Sequence, residues 1–350
     1  MDFDYEYSIR LNKVEEQIKK ALPSKAGKEW ISRVAGEKSP LGQLSQYDSF
    51  IEPARDLIRR GGKRWRPVVM LLSCETAGGK DEAVPFVPLV ELPHNGSLIV
   101  DDIEDKSEWR RGEKAVHLLY GEDLAVNAGN LLYYLPTYII EESGAGSSLK
   151  AGIYRYYTEN MRRLHLGQGF DILWHRNGDI IPEPEEYEQM CRFKTGSLAR
   201  MAAQIGAWTA SGNADAAEVL GSVCEDMGVG FQIMDDVVNL TSGNPGKGRG
   251  DDIVEGKKSL PVIYHLISRP GDRDKMVSLF RSAGSKGFDK AENEIEEAIS
   301  MMEESGAIDK AKERGKELLS GASKRLSSSF PPCGAVDIMK EMIVKFADSY

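Results

Sequence analysis

The chain has 350 residues, 41% hydrophobic and 29% charged, which is enough apolar material for one large domain or two smaller ones. Its net charge of −10 argues against general nucleic-acid binding, although a local cationic pocket is compatible with it. No stretch reaches the roughly 18 apolar residues of a transmembrane helix, and the charged N-terminal segment lacks the apolar part of a signal peptide. The scattered Cys74, Cys191, Cys224 and Cys333 form no CxxC pair, so we expect reduced thiols and a cytoplasmic protein.

Helical periodicity runs through most of the chain, beginning with apolar residues at helical spacing from Leu11 to Leu22. Residues 53–79 predict two helices separated by Gly61–Gly62, the second opened by Pro67 and closed at Gly78. Longer helical segments are predicted at residues 185–210, 215–240 and 289–322. Strand alternation and hairpin signals are scarce, so the sequence predicts an all-α bundle. Residues 241–258, rich in Gly, Lys and Asp, are predicted to form a loop.

Two clusters of acidic residues each end an apolar helical run. In LIVDDIED, Asp101 and Asp105 are four residues apart and share a helix face, where like charges cost about 0.2–0.5 kcal/mol. In FQIMDDVVNL, Asp235, Asp236 and Asn239 repeat this spacing. One such cluster is equally typical of a solvated helix end, but two favour a shared Mg²⁺ site, since Mg²⁺ binds one or two carboxylates plus water and phosphate. The five histidines and four cysteines show no zinc-binding spacing.

Phosphate ligands would require compensating cations, and basic residues lie at helix ends and glycine breaks near both acidic clusters. They are Lys63, Arg64 and Arg66 in GGKRWRP, Arg110 and Arg111 in WRRG, Lys194 beside Thr195 in FKTG, and Lys247 and Lys257 in the loop. Each alone is typical of a solvated surface charge, but their shared placement predicts a common anion site. The loop is not a P-loop, because five residues separate Gly250 from Gly256 and the preceding strand is missing.

These motifs, in this order, resemble the trans-isoprenyl diphosphate synthase (polyprenyl synthase) family. The resemblance extends from Gly61 to Pro261 through GGKRxRP, ELPHN, DDIED followed by RRG, YG, LGQG, KTG, FQxxDD and GDDxxEGK. It is closest in style to geranylgeranyl diphosphate synthases. It implies one helical domain of the isoprenoid synthase type over residues 1–350 with a central active-site cavity, flanking helices at 1–48 and an active-site loop at 241–258.

The resemblance implies a prenyltransferase that condenses isopentenyl diphosphate with an allylic diphosphate, head-to-tail and in trans, through a Mg²⁺-assisted allylic carbocation. About three Mg²⁺ ions would be held by Asp101, Asp105 and Asp235, supported by Asp102, Asp236 and Asn239. Isopentenyl diphosphate would bind Lys63, Arg66, His94 and Arg111. The allylic diphosphate would bind Arg110, Lys194, Thr195, Gln232, Lys247 and Lys257.

Product length is predicted from the residues below the first acidic cluster. Gly96 and Ser97, five and four residues before Asp101, are small, whereas relatives that stop at fifteen carbons carry aromatic residues there. By resemblance, Tyr133, Tyr134 and His165 would close the tunnel deeper down, although ordinary core aromatics fit the spacing equally. We therefore expect mainly geranylgeranyl diphosphate, with products of twenty-five or more carbons as the alternative. On this reasoning Gly96→Phe should shorten the product, and alanine at either tyrosine should lengthen it.

Two departures from the family pattern stand out. Asn239 occupies a position where many members carry Asp, and the terminal KFADSY lacks a basic tail, so closure over isopentenyl diphosphate would be looser or would rely on Lys345. A terpene cyclase would usually read (N/D)DxxSxxxE, whereas Asn239 and Gly243 stand at its Ser and Glu positions. A non-catalytic regulatory subunit would be expected to have lost acids that are intact here.

The resemblance also implies a homodimer, with AVNAGNLLYYL apolar enough to serve as the interface. Its Ala125, Ala128 and Gly129 suit either close helix packing between subunits or the core.

Overall fold

The computed structural model describes residues 2–36, 41–243 and 248–348. The α-helices in its first half are α1 Phe3–Ala21, α2 Lys28–Ala35, α3 Leu44–Arg59, α4 Trp65–Thr76, α5 Pro88–Glu104, α6 Val116–Tyr120, α7 Glu122–Tyr134, α8 Tyr138–Glu142 and α9 Ser147–Arg176. Those in the second half are α10 Pro184–Cys191, α11 Ser197–Ser211, α12 Ala214–Thr241, α13 Asp251–Glu255, α14 Leu260–Ser268, α15 Arg273–Lys286, α16 Glu292–Glu304, α17 Ala307–Ser329 and α18 Gly334–Asp348. The all-α prediction is confirmed.

The described residues contain one small β-hairpin, which the sequence did not signal. Strands β1 Trp109–Arg110 and β2 Glu113–Lys114 pair antiparallel. Its two turn residues, Arg111 and Gly112, have φ values of 55° and 78°, and positive φ at both positions is the requirement of a tight type I′ turn. The RRG motif therefore places Arg110 on a strand and Arg111 at the turn.

The chain folds into two compact units. The first comprises residues 1–158, 201–221 and 333–338, and the second comprises residues 159–200, 222–332 and 339–350. The prediction of a single domain is not tested by this division and stays a prediction. In the first unit, α5 packs on α7 with the side chains of Leu89, Leu92, Ile99 and Leu132 fully buried. Burial of each such side chain contributes about 1.5–3 kcal/mol to stability.

The second unit has a core built around α12, α14, α16 and α17, with Ile233, Ile263 and Ile299 fully buried. The helical segment predicted at 185–210 is interrupted there by a five-residue π-helix, Arg192–Gly196. Short π-helices of this kind occur frequently at functional sites. The predicted loop at 241–258 contains the short helix α13, and the helical pair predicted at 289–322 is observed as α16 and α17.

Candidate active site

The first acidic cluster lies at the C-terminal end of α5, in the first unit. Asp102 is fully buried and accepts hydrogen bonds from two guanidinium nitrogens of Arg110, one of them at 2.7 Å. The same guanidinium lies 3.5 Å from Asp101. Carboxylates at a helix C-terminus oppose the helix dipole, so they need a cation nearby. Arg110, predicted to bind the allylic diphosphate, supplies part of that charge to the acidic cluster itself.

The residues predicted to bind isopentenyl diphosphate lie around the N-terminal part of α5 in the same unit. The Arg111 guanidinium donates to the Leu57 carbonyl at 2.9 Å, and burial lowers its pKa to about 10. Burial, together with the charges of nearby arginines that include Arg66, holds the pKa of His94 well below its usual range. The His94 ring is therefore neutral at pH 7, and its role would be hydrogen bonding rather than ion pairing. The Lys63 carbonyl accepts a hydrogen bond from the Tyr7 hydroxyl at 2.7 Å.

The second acidic cluster lies on α12 in the second unit. Asp236 is buried and accepts hydrogen bonds from the Tyr187 hydroxyl at 2.5 Å and from the Gln232 amide at 2.9 Å. The Thr195 hydroxyl donates to the same Gln232 side chain at 2.9 Å. Burial, with the charges of Asp252 and Asp235, raises the pKa of Asp236 to about 7. Such a cluster of repelling carboxylates favours a bound cation.

The π-helix carries Lys194, whose ammonium group pairs with Asp171 of α9. The backbones of α9 and of the π-helix approach each other closely here: a Cβ at Gly167 would lie 2.3 Å from the backbone nitrogen of Lys194. Only glycine therefore fits at this position of the LGQG motif.

Sequence reasoning missed both Asp171 and Tyr187. Asp171 lies four residues after Gly167 and could have been found from helical spacing, whereas nothing in the sequence signals Tyr187.

Asn239 of the second acidic cluster has structural contacts that the sequence did not predict. Its side chain is fully buried, its Oδ1 accepts from the Asp252 backbone N–H at 3.4 Å, and its carbonyl accepts from the Gly250 N–H at 2.8 Å. Asn239 thus anchors the segment that begins α13, and its predicted role in supporting a metal ion stays a prediction. Lys257 follows α13 and pairs with Glu255, with Asp252 at 3.7 Å. Lys247 lies outside the described residues.

The donor chemistry at both acidic clusters fits Mg²⁺. The available ligands are carboxylate oxygens, which are the hard donors that Mg²⁺ prefers. Within the described ranges, no group of three or more Asp, Glu, His or Cys side chains is arranged to hold a metal ion. Mg²⁺ sites of this kind commonly take one or two protein carboxylates, with substrate phosphate and water as the other ligands.

The residues predicted to set product length have different surroundings. A Cβ at Gly96 would lie 2.7 Å from the Gly129 carbonyl oxygen and 3.3 Å from the Tyr133 ring, so Gly96 faces the backbone of α7. Phenylalanine at position 96 would separate α5 from α7, so the predicted Gly96→Phe effect on product length stays a prediction and cannot be separated from this change in packing. Ser97 is half-buried. Tyr133 is 8% exposed, whereas Tyr134 is 74% exposed.

The other small residues of α7 also serve the core. Ala125 and Ala128 are fully buried, and a Cβ at Gly129 would lie 2.7 Å from Val100 of α5. The sequence allows Ala125, Ala128 and Gly129 to pack either between subunits or in the core. In the structure they pack in the core of the chain. His165, on α9 in the second unit, is exposed.

Comparison with known proteins gives a consistent result. Residues 48–302 match the family model described as polyprenyl synthetase. A geranylfarnesyl diphosphate synthase of Aeropyrum pernix is 34% identical over 77% of this chain and 85% of its own length. A geranylgeranyl pyrophosphate synthase of Geoglobus acetivorans is 34% identical over 85% of this chain and 88% of its own length.

Among solved structures, a geranylgeranyl pyrophosphate synthetase from Pyrococcus horikoshii Ot3 is similar with a TM-score of 0.85 and 27% identity. The similarity covers 99% of this chain and 98% of the other. In the part of the chain that the structure describes, no helix is both long and apolar enough to span a membrane.

Proposed function

Because the chain belongs to the polyprenyl synthetase family and is a trans-prenyltransferase, we propose that it extends allylic diphosphates with isopentenyl diphosphate mainly to geranylgeranyl diphosphate. The family uses Mg²⁺, and the carboxylate donors of both motifs fit this ion. The observation that carries the proposal is the pair of acidic clusters, each held by buried hydrogen bonds, with basic side chains beside them. The two clusters are proposed to serve one reaction.

In this proposal Asp101, Asp105 and Asp235 hold about three Mg²⁺ ions, with Asp102 and Asp236 orienting them. The ions would neutralise the leaving diphosphate, which lowers the barrier to ionisation of the allylic C–O bond. Asp102 acts through its bond to Arg110, and Asp236 through its bonds to Tyr187 and Gln232. These fixed hydrogen bonds keep the carboxylates in place while charge develops.

The remaining basic residues are proposed to bind the two diphosphates. Arg110, Lys194, Lys247 and Lys257 bind the allylic diphosphate, with hydrogen bonds from Thr195 and Gln232. Lys63, Arg66, His94 and Arg111 bind isopentenyl diphosphate. Ionisation of the allylic C–O bond would release diphosphate and form the allylic cation, and the isopentenyl double bond would then attack this cation to form the new C–C bond. The departing diphosphate takes the proton lost from the new cation, and apolar helix faces exclude water that would trap it.

Product length is proposed to depend on Ser97 and Tyr133. Ser97 is a small, half-buried residue one turn before Asp101, so α5 itself places no aromatic side chain in the path of an elongating chain at that position. The Tyr133 ring lies beside Gly96, and the backbone carbonyl of Tyr133 accepts a hydrogen bond from the Tyr157 hydroxyl, which fixes the backbone from which the ring extends. A product of twenty-five carbons is the second candidate, supported by similarity to the geranylfarnesyl diphosphate synthase.

A homodimer is proposed from the exposed face of α6 and α7. Leu118, Leu119, Val126 and Tyr134 are 52%, 48%, 41% and 74% exposed. Large apolar side chains grouped in this way are typical of protein interfaces. Light scattering of a dimer should give a mass about twice the 38.8 kDa of one chain. The Val126→Glu substitution should reduce the measured mass to that of one chain. A wild-type mass of one chain at micromolar concentration would contradict the proposal.

A cytoplasmic location is inferred from the cysteines. All four lie within the described residues in the thiol form, and three of them are buried. Thiols that stay reduced are typical of cytoplasmic proteins.

Incubation with isopentenyl and farnesyl diphosphates and Mg²⁺, followed by chromatography, tests the proposed function. Geranylgeranyl diphosphate as the main product would support it. Mainly longer products would favour the second candidate, and no elongation would contradict both.

A further inference from the structure

A buried carboxylate lies beside the residues proposed to bind isopentenyl diphosphate. Glu91, in the first turn of α5, has a side chain only 2% exposed, and Arg64 donates to its Oε1 at 2.6 Å. Arg64 is also buried, and its other nitrogens donate to Glu15 at 2.9 Å and to the Ile58 carbonyl at 2.7 Å. Every arm of this guanidinium is therefore engaged within the protein. Arg64 is not available to a diphosphate, although it lies between Lys63 and Arg66 in the sequence.

The pair between Arg64 and Glu91 holds a strained turn. Arg64 has a φ of 49°, and it follows Gly61 and Gly62 with φ values of 80° and 144°. A residue with a Cβ is disfavoured in this left-handed region by about 1–2 kcal/mol, so its side-chain bonds must offset the strain. Lys63 lies within this turn and Arg66 directly follows it, in the first turn of α4. The buried pair therefore fixes the backbone from which both residues extend.

A second set of hydrogen bonds leads from Glu91 to Arg111. The Asn95 amide nitrogen donates to Glu91 Oε1 at 2.8 Å and to the Glu91 carbonyl at 2.7 Å. With its N–H groups engaged by Glu91, the amide oxygen of Asn95 faces Arg111 and accepts from it at 3.0 Å. Asn95 is fully buried, so water does not compete for the hydrogen bonds that fix the orientation of its amide group. A Cβ at Gly62 would lie 3.1 Å from Arg111, so the guanidinium also packs on the strained turn.

We propose that Glu91 and Asn95 are positioning residues for isopentenyl diphosphate, which hold the Lys63–Arg66 turn through Arg64 and aim the Arg111 guanidinium through Asn95. Neither residue contacts the ligand. The inference rests on the proposed function of this subsite. It predicts that one buried charge on α5 controls affinity for isopentenyl diphosphate without controlling affinity for the allylic diphosphate.

Glu91→Gln tests the proposal, because it keeps the shape of the side chain and removes its charge. We expect the KM for isopentenyl diphosphate to rise at least fivefold, while the KM for farnesyl diphosphate stays within twofold of wild type. Glu91→Asp should recover part of the loss. Asp48→Asn is the matched control, since Asp48 accepts from the buried Arg55 at 2.8 Å elsewhere in the same unit. This control should leave both KM values within twofold.

A rise of less than fivefold for isopentenyl diphosphate, or an equal rise in both KM values, would overturn the proposal. If Glu91→Gln does not fold by circular dichroism, Asn95→Leu decides by the same criteria, because it removes the hydrogen bonds of Asn95 to Glu91 and Arg111 but leaves the pair between Arg64 and Glu91 in place. Titration with a non-reactive thio-analogue of isopentenyl diphosphate separates the two levels of inference. A wild type that binds the analogue but forms no product would count against the proposed function, while the affinities of the variants would still test Glu91.

Discussion

Lys258 gives a prediction in which the sign of a pH effect follows from burial. Lys258 is 7% exposed, and its ammonium group donates to the Gly256 carbonyl at 2.8 Å and lies 5.4 Å from the centre of the Phe280 ring. Burial, reinforced by the charge of Arg281, lowers the pKa of Lys258 from 10.5 to about 8. The folded state therefore holds this proton less tightly than the unfolded state does.

The pKa difference corresponds to about 3 kcal/mol of destabilisation when the ammonium is charged in both states. Lys258→Met removes the buried charge, but it also removes a hydrogen bond and a cation–π contact that together contribute about 1–2 kcal/mol. We therefore expect the free energy of unfolding at pH 7 to increase by about 1–2 kcal/mol. Because the unfolded state binds the additional proton between pH 8 and 10.5, wild-type stability should rise across that range and the advantage of the variant should fade.

Urea unfolding at pH 7, 8.5 and 10, followed by circular dichroism, measures this effect. Lys324→Met is a suitable control, because Lys324 is exposed in the same unit and should change stability by less than about 0.5 kcal/mol. A Lys258→Met variant less stable than wild type at pH 7 would refute the reasoning, as would an advantage that does not depend on pH.

The remaining predictions concern activity. Asp101→Ala and Asp235→Ala should each abolish turnover with helicity unchanged; a variant that retains more than about a tenth of the wild-type rate at saturating Mg²⁺, a loss below about 1.4 kcal/mol, would contradict the metal role. Tyr187→Phe should lower kcat/KM at least tenfold, since a hydrogen bond to a buried carboxylate contributes about 1.5–3 kcal/mol, and a value within twofold of wild type would exclude this role. Ser97→Phe should shorten the product towards fifteen carbons and Tyr133→Ala should lengthen it, as read by chromatography; unchanged product distributions would show that the chain does not pass these residues.

The fold and the motifs could be predicted because both depend on local spacing. Helical periodicity indicates helices wherever apolar residues repeat, and the two acidic clusters repeat one pattern at two helix ends. The break in the predicted helix at 185–210 could not be predicted from local spacing, and the backbone there lies close to Gly167, which is distant in sequence. In the same way, a glycine at 96 suggests open space in the sequence, whereas in the structure it permits contact with Gly129.

Partners distant in sequence account for the other differences. Tyr187 and Asp236 are 49 residues apart, and Arg64 and Glu91 are 27 apart. Residue type does not distinguish Arg64 from Lys63 and Arg66, since all three are basic residues of one motif. Burial and pairing separate them, because a buried guanidinium needs every donor satisfied. Such distinctions arise only when the chain is folded.

Mg²⁺-dependent chain elongation tests the central claim most directly. The purified protein is incubated with isopentenyl and farnesyl diphosphates, with Mg²⁺ or with excess chelator, and the products are separated by chain length. We predict geranylgeranyl diphosphate as the main product with Mg²⁺ and no product with chelator. A folded protein that forms no elongated diphosphate with Mg²⁺, or one that forms the same product with chelator, would contradict the account.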